Sequence, residues 1–272
     1  MNNSSITITP LFSGSSGNAI LLSSGNTNIL VDAGMSCKKI VEALNIVKMN
    51  PYDLSAVMIT HDHSDHISGL DVFTRKFAIP IYATLKTWRG IHAVEKKPHS
   101  PDLDNEIIPD EKVQIGDFVI TAFDTPHDAN GSCGYRFDTD GCSAAIATDI
   151  GMMTPVVFDH LRGCTGILLE ANYDEDMLWN GEYPYYLKKR IAGENGHLCN
   201  DDCARTAVTL CKNGTRHFIL GHLSKENNLP QVAERTFLRA MEDEKLVRDR
   251  DFTLRVAKRY EPTEPLLLEV ML

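Results

Sequence analysis

Ala56-Val57-Met58-Ile59-Thr60-His61-Asp62-His63-Ser64-Asp65-His66 is the stretch whose reading decides the fold. Its first five residues are apolar or branched and short enough for a buried strand, so the polar cluster that follows sits where a strand ends. That cluster packs three imidazoles and two carboxylates into six positions. Neutral imidazole nitrogen and carboxylate oxygen are borderline to hard ligands, suited to zinc and its first-row neighbours. A tight turn can aim His61 and His63 at one ion while Asp65 and His66 face a second. The competing reading, a solvated turn that happens to be rich in histidine, does not account for His and Asp alternating at ligand spacing straight after a buried strand.

HDHSDH resembles the His-x-His-x-Asp-His signature of the metallo-beta-lactamase fold, in which more distant His, Asp and His residues complete a two-metal site. The resemblance implies an α/β protein, an αββα sandwich of two mixed sheets flanked by helices, and it says what else to look for. His127 follows the strand-like Phe118-Val119-Ile120-Thr121-Ala122, Asp149 follows Ser143-Ala144-Ala145-Ile146, and His222 ends His217-Phe218-Ile219-Leu220-Gly221-His222. Each lies where a strand gives way to a loop. The implied assignment is His61, His63 and His127 on one metal, Asp65, His66 and His222 on the other, and Asp149 shared. Asp32, at the end of Asn28-Ile29-Leu30-Val31, resembles the strand-end Asp that braces the ligand loop by hydrogen bonds.

With 272 residues the chain can build one large α/β domain or two small ones. No Pro/Gly/Ser-rich linker, repeat or low-complexity tract interrupts it, so a single domain over 1–272 is expected. Met1-Asn2-Asn3-Ser4-Ser5-Ile6-Thr7-Ile8 has neither a basic region nor a long apolar core, and no apolar run reaches the length of a bilayer span. The cytoplasm is the expected compartment, with no membrane partner. Seven cysteines, an odd number scattered without Cys-x-x-Cys spacing, suit reduced buried thiols. Cys199 and Cys203, one helical turn apart, are not read as a metal site. Residues 1–180 carry 12 Lys+Arg against 23 Asp+Glu, whereas residues 181–272 carry 15 against 14. A polyanion would therefore dock on the second half.

Strands are expected at 6–9, 19–22, 28–34, 80–83, 118–122, 133–137, 142–147, 166–170, 252–257 and about 266–270. Helices are expected from about Ser36 as N-cap, over 69–77, over 84–95, from an Asn200 or Asp201 cap to Lys212, and from about Pro230 to Glu244. Phe12-Ser13-Gly14-Ser15-Ser16-Gly17-Asn18 reads either as a plain hairpin turn or as an anion nest of outward N–H groups. Asp102, Asp104, Glu106, Asp110 and Glu111 read as a solvated loop, and His92 and His99 as structural or exposed. Tyr183, Tyr185 and Tyr186 before Lys188-Lys189-Arg190 suit unstacked bases and phosphates, or else an amphipathic helix with its tyrosines on the core.

Two cations roughly 3.5 to 4 Å apart hold and orient a hydroxide and clamp the oxygens of an in-line phosphoryl displacement, so metal-assisted hydrolysis is the expected reaction class. Zinc is the first expectation from the ligand types, with manganese or iron suiting a mixed His/carboxylate site as well. Asp65 can also orient the attacking water. Gly196-His197-Leu198-Cys199-Asn200 before an Ala-rich helix resembles the metallo-beta-lactamase nucleases, in which such a histidine approaches the scissile phosphate. That resemblance gives His197 a catalytic role outside the metal shell. Over nearly its whole length the chain is similar to the YycJ/WalJ group, through Ser13-Gly14-Ser15-Ser16-Gly17-Asn18, Thr60 to His66, and Gly221-His222-Leu223-Ser224-Lys225-Glu226-Asn227-Asn228. The group is associated with exonuclease action on DNA, which implies a 5'-to-3' DNA exonuclease. Cys199 departs from it, standing where such sequences tend to have serine. The rivals are an RNA-processing nuclease, a glyoxalase II-like thioester hydrolase, and a metal-binding regulator without turnover.

Overall fold

Ile29 and Val31 point into one apolar layer and Leu30, between them, into another. This period-two alternation between two buried faces is the signature of a strand covered on both sides. The computed structural model describes residues 5–94 and 100–269. In chain order its strands begin with β1 (Ile6–Phe12), β2 (Ala19–Ser24), β3 (Thr27–Val31), β4 (Ala56–Met58), β5 (Ile81–Ala83), β6 (Asp104–Glu106) and β7 (Lys112–Ile115). There follow β8 (Phe118–Asp124), β9 (Cys133–Asp138), β10 (Ser143–Ala147), β11 (Gly166–Glu170), β12 (His217–Gly221), β13 (Thr253–Val256) and β14 (Leu266–Leu268). They form two seven-stranded sheets, β14-β1-β2-β3-β4-β5-β6 and β13-β12-β11-β10-β9-β8-β7.

Both sheets are mixed in the same way. In the first, β14, β1, β2 and β3 pair antiparallel and β3 to β6 run parallel. In the second, β7 to β10 are antiparallel and β10 to β13 parallel. The parallel halves need crossovers, which the helices supply. These are α1 (Cys37–Ile46), α2 (Ser64–Ile67), α3 (Leu70–Phe77), α4 (Leu85–Val94), α5 (Pro155–Leu161), α6 (Glu175–Asn180), α7 (Tyr185–Ile191), α8 (Asn200–Lys212) and α9 (Pro230–Asp243).

Ile8, Leu22, Ile29 and Met58 of the first sheet meet Phe118, Tyr135, Phe137, Ile146 and Leu168 of the second in the layer between sheets. Leu30, Val57 and Ile59 pack outward on Ile40, Leu44 and Phe73 of α1 and α3. Ile167, Leu169 and Phe218 pack outward on Ala207 and Leu210 of α8 and Phe237 of α9. Helix, sheet, sheet, helix is the αββα sandwich expected from the sequence.

Two expectations are corrected. The acidic loop is partly strand: β6 pairs parallel with β5, and β7 pairs with β8. β6 closes one edge of its sheet, where backbone bonds on one side suffice and charged side chains blunt further pairing. The cap of α8 is Cys199, whose sulfur accepts from Asp202 N at 3.4 Å, and not Asn200 or Asp201. Ser36 caps α1 as expected, accepting from Lys39 N. Residue 95, His99 and Val270 lie outside the described residues.

Candidate metal centre

Parallel strands deliver their C-terminal ends to one rim, and the polar residues of this rim come from the ends of both sheets. Asp32 follows β3, the 61–66 cluster follows β4, Asp149 follows β10 and His222 follows β12. Asp32, Asp149 and His222 adopt the left-handed region with φ of 63°, 58° and 53°. A side chain there ends the strand at a stroke, a conformation Asp and His tolerate better than most and one that gathers at functional sites. Gly34 makes the approach of α2 possible: a Cβ on it would lie 1.7 Å from the Asp65 carbonyl oxygen.

Hydrogen bonding fixes which nitrogen each imidazole presents. The Thr60 hydroxyl donates its one proton to Asp32, so Thr60 Oγ1, 3.0 Å from His61 Nδ1, accepts from that ring. His66 Nδ1 donates to Asp32 Oδ2 at 2.8 Å. His127 Nδ1 donates to the Gly196 carbonyl at 2.9 Å, and His222 Nδ1 to Glu170 Oε1 at 2.9 Å. In these four the Nε2 is left to face the interior. His63 presents Nδ1, 3.3 Å from His127 Nε2.

The facing atoms form overlapping groups whose members lie within 4.8 Å of one another: His61, His63 and His127; Asp65, His66 and His222; and His61, His66 and Asp149. Asp149 stands between them, with Oδ1 3.6 Å from His127 Nε2 and Oδ2 3.4 Å from His66 Nε2. Asp65 Oδ2 is 3.5 Å from His66 Nε2 and 3.6 Å from His222 Nε2. His61 Nε2, Asp149 Oδ2 and His222 Nε2 are buried without a hydrogen-bond partner. A buried polar atom left unpaired is costly, and three of them in one cage fit divalent cations as the missing partners. All seven residues expected as ligands are therefore brought together.

Charge in the cage is finely divided. Burial, then His66, His127 and His63, push His61 well below the usual imidazole value, which keeps its lone pair free. Burial opposes the charged forms of His66 and His222, yet Asp32, Asp149 and Asp65 raise the first far above its usual value. Asp149, Asp65 and Glu170 carry the second up to about 10. Burial would raise Asp65, but the nearby imidazoles of His66 and then His222 hold it well below the carboxylate range. A divalent cation in the cage would compete with protons on His66 and His222, so its binding would release them.

The residue that sequence reasoning missed is Glu170. Wholly buried at the end of β11, it accepts His197 Nδ1 and His222 Nδ1 on Oε1 at 2.8 and 2.9 Å, and the N–H groups of Ile150 and Leu198 on Oε2. Burial alone would raise its carboxyl, but His197 first and then His222, by charge and hydrogen bond, hold it below the usual range. With Nδ1 so engaged, His197 has Nε2 as its remaining ring nitrogen, on a side chain 22% exposed at the rim. Asp62 was also unassigned; it ties Asn130 Nδ2 at 2.8 Å and so joins the 61–66 turn to the His127 loop. A polar strand end in the sequence was the only signal for either.

The Ser13–Asn18 turn is not an open nest. Gly14 N is spent on Asn18 Oδ1, Gly17 N on Gly14 O and Asn18 N on Asp65 O. Asn18 Nδ2 lies 3.0 Å from His66 Nε2, and Ser13 Oγ accepts from His222 N. The turn braces ligands. His92 stacks on Trp88 away from the cage, and the seven cysteines are free and buried.

The description "Beta-lactamase superfamily domain" fits residues 27–223, and with the fold and rim above it places this chain in the beta-lactamase superfamily. Within it, the chain is 38% identical to an exodeoxyribonuclease WalJ of Streptococcus pneumoniae, over 84% of this chain and 85% of that one. It is 33% identical to an exodeoxyribonuclease YycJ of Bacillus anthracis, over 86% and 88%. The crystal structure of the metallo-beta-lactamase fold protein YhfI from Bacillus subtilis superposes with a TM-score of 0.71 at 16% identity, covering 95% of this chain and 99% of that one. No helix among the described residues is long and apolar enough to cross a membrane.

Proposed function

We propose that this chain is a metal-dependent exodeoxyribonuclease that degrades DNA from the 5' end, in the cytoplasm, as a single domain. The observation that carries the reading is the cage of unpaired His61, Asp149 and His222 atoms at the rim of a chain 38% identical to an exodeoxyribonuclease. His61, His63 and His127 would hold one divalent cation and Asp65, His66 and His222 a second, with Asp149 between; zinc is the first choice, manganese or iron the others. Such a pair supplies an activated water and a clamp for phosphoryl oxygens.

The chain's own residues do the rest. Asp65, partly exposed between His66 and His222, is placed to accept a hydrogen bond from the attacking water and set its direction. His197, held by Glu170 through Nδ1, offers Nε2 to the leaving oxygen as proton donor. Glu170 holds the ring by Nδ1 so that Nε2 stays available, and the proton given to the leaving oxygen is one carried on Nε2. A thioester hydrolase would use the same ligands but has no leaving alkoxide that needs His197.

Metal-loaded protein incubated with end-labelled single-stranded and duplex DNA and RNA tests the proposal. Laddering from the 5' end of DNA is expected, with His61→Ala inactive. His197→Ala is expected to keep both metals and lose turnover by ~100-fold or more. Cleavage of RNA alone, of thioesters alone, or activity unchanged in His61→Ala would overturn it.

A further inference from the structure

Trp179, Tyr185 and Tyr186 are aromatic rings on adjoining helices, exposed at 43%, 65% and 74%. No residue of α7 is fully buried; Tyr183 and Ile191 pack against the buried Tyr173, Leu178 and Cys199, so the expectation of tyrosines on the core holds for Tyr183 and fails for Tyr185 and Tyr186. Tertiary packing is what usually stabilises so short a helix. Here Ile191 supplies a partial apolar contact and polar ties add to it. Lys188 Nζ donates to the carbonyls of Trp179 and Gly181 at 2.8 and 2.7 Å, clamping α6 to α7. Arg190 Nη2 donates to Asp128 at 3.1 Å, and Ile191 O accepts from His197 N at 2.8 Å. The helix is therefore anchored at its C-terminal end to the neighbours of His127 and to the backbone of His197, with its aromatic face turned to solvent.

The rings are placed to take planar ligands. Trp179 and Tyr185 are 6.3 Å apart and inclined at 49°, so neither covers the other's face. Lys189 Nζ lies 5.0 Å from the Tyr185 centroid, a cation one helical turn beyond the ring. Tyr186 and Arg190 share the i, i+4 spacing on the adjacent stripe, about 6 Å apart along the axis, with the Arg190 guanidinium held by Asp128. Each stripe runs from an aromatic ring through a cation towards the metal centre, and α7 contains no acidic residue. Bases already stacked in a duplex have no face to give such rings, whereas an unpaired strand offers a face at every nucleotide and phosphates for the cations.

We propose that Trp179, Tyr185 and Tyr186 form a stacking platform for unpaired bases of single-stranded DNA, whose backbone passes Lys189 and Arg190 on its way to the metal centre. The inference rests on the exonuclease reading for its substrate and adds the form of DNA the enzyme holds. Continuity with the centre and the cations of α7 favour a polyanion over a protein partner.

The chain has two tryptophans, and Trp88 is buried, so quenching of tryptophan emission reports on Trp179. Metal-loaded full-length protein is titrated with phosphorothioate-linked oligodeoxythymidylate and with a blunt duplex of equal length. The single strand is expected to quench and to bind about tenfold or more tightly than the duplex. The Tyr185→Ala/Tyr186→Ala variant should bind the single strand ~10-fold more weakly and show the loss in KM rather than kcat. Tyr185→Phe/Tyr186→Phe should restore both, since stacking needs the ring and not the hydroxyl. Thermal midpoints should match, because neither tyrosine is buried. Wild-type affinity and KM in the double alanine variant would overturn the platform and leave the rings to a protein partner. Wild-type protein that quenches with the single strand yet cuts no DNA would sink the exonuclease reading and keep the platform.

Discussion

Glu170 shows how one carboxylate outside the expected ligand set can matter as much as the ligands. It accepts from His197, His222, Ile150 N and Leu198 N at once, two donors to each oxygen. An amide in its place must turn its NH2 towards two of those donors, whichever way it lies. Glu170→Gln is therefore expected to lower kcat by about 10 to 100-fold, the range seen when partners of metal-bound histidines are changed, with the fold retained. Steady-state rates on DNA beside circular dichroism check this, and wild-type kcat would contradict it. The seven clustered His and Asp residues could be picked from the sequence because a recognisable spacing and order carry them. A lone Glu in Gly166-Ile167-Leu168-Leu169-Glu170 has no such pattern; only the meeting of β11 with the Asp149 and His197 loops gives it partners. The left-handed backbone at Asp32, Asp149 and His222 was equally hidden, since it is set by how each strand must stop.

At the scale of elements, α8 carries Ala207 and Leu210 into the core and places its N-terminus beside His197, so its cap bears on the site. Sulfur is a weak acceptor for the Asp202 N–H, and Cys199 is 2% exposed against Tyr173 and Leu178. Cys199→Ala should cost about 1 kcal/mol through loss of the cap, which for a chain of this size lowers the thermal midpoint by roughly 2 to 4 °C. Cys199→Ser, which restores an oxygen acceptor, should not fall below wild type. Differential scanning calorimetry reads both, and an alanine variant as stable as wild type would remove the cap from the account. Helices with strong periodicity and apolar strands were legible. β6 was not, because Asp104, Asn105 and Glu106 form an edge strand through backbone pairing with β5 and carry no apolar alternation.

For the molecule as a whole, the two sheets share one layer of apolar side chains and close over the thiols. Burial pushes Cys133 and Cys164 up to about 12, and likewise Cys199, while Cys203 is raised well above its ordinary value. Native protein at pH 8 should leave its seven cysteines unreacted with a disulfide reagent over minutes and release all seven on denaturation; rapid native reaction would contradict the packing. The class of fold could be read from strand ends bearing ligands, but the order of the fourteen strands among the described residues could not, because pairing such as β1 with β14 joins residues far apart in sequence. What the sheets achieve is to bring four separate strand ends to one rim. Anomalous diffraction from metal-loaded crystals, collected at the metal's absorption edge, measures that directly. Two peaks roughly 3.5 to 4 Å apart are expected, one within bonding distance of His61, His63 and His127, the other of Asp65, His66 and His222, with Asp149 touching both. A single peak held instead by Asp149, Glu170, His197 and His222, or none at the rim, would contradict it.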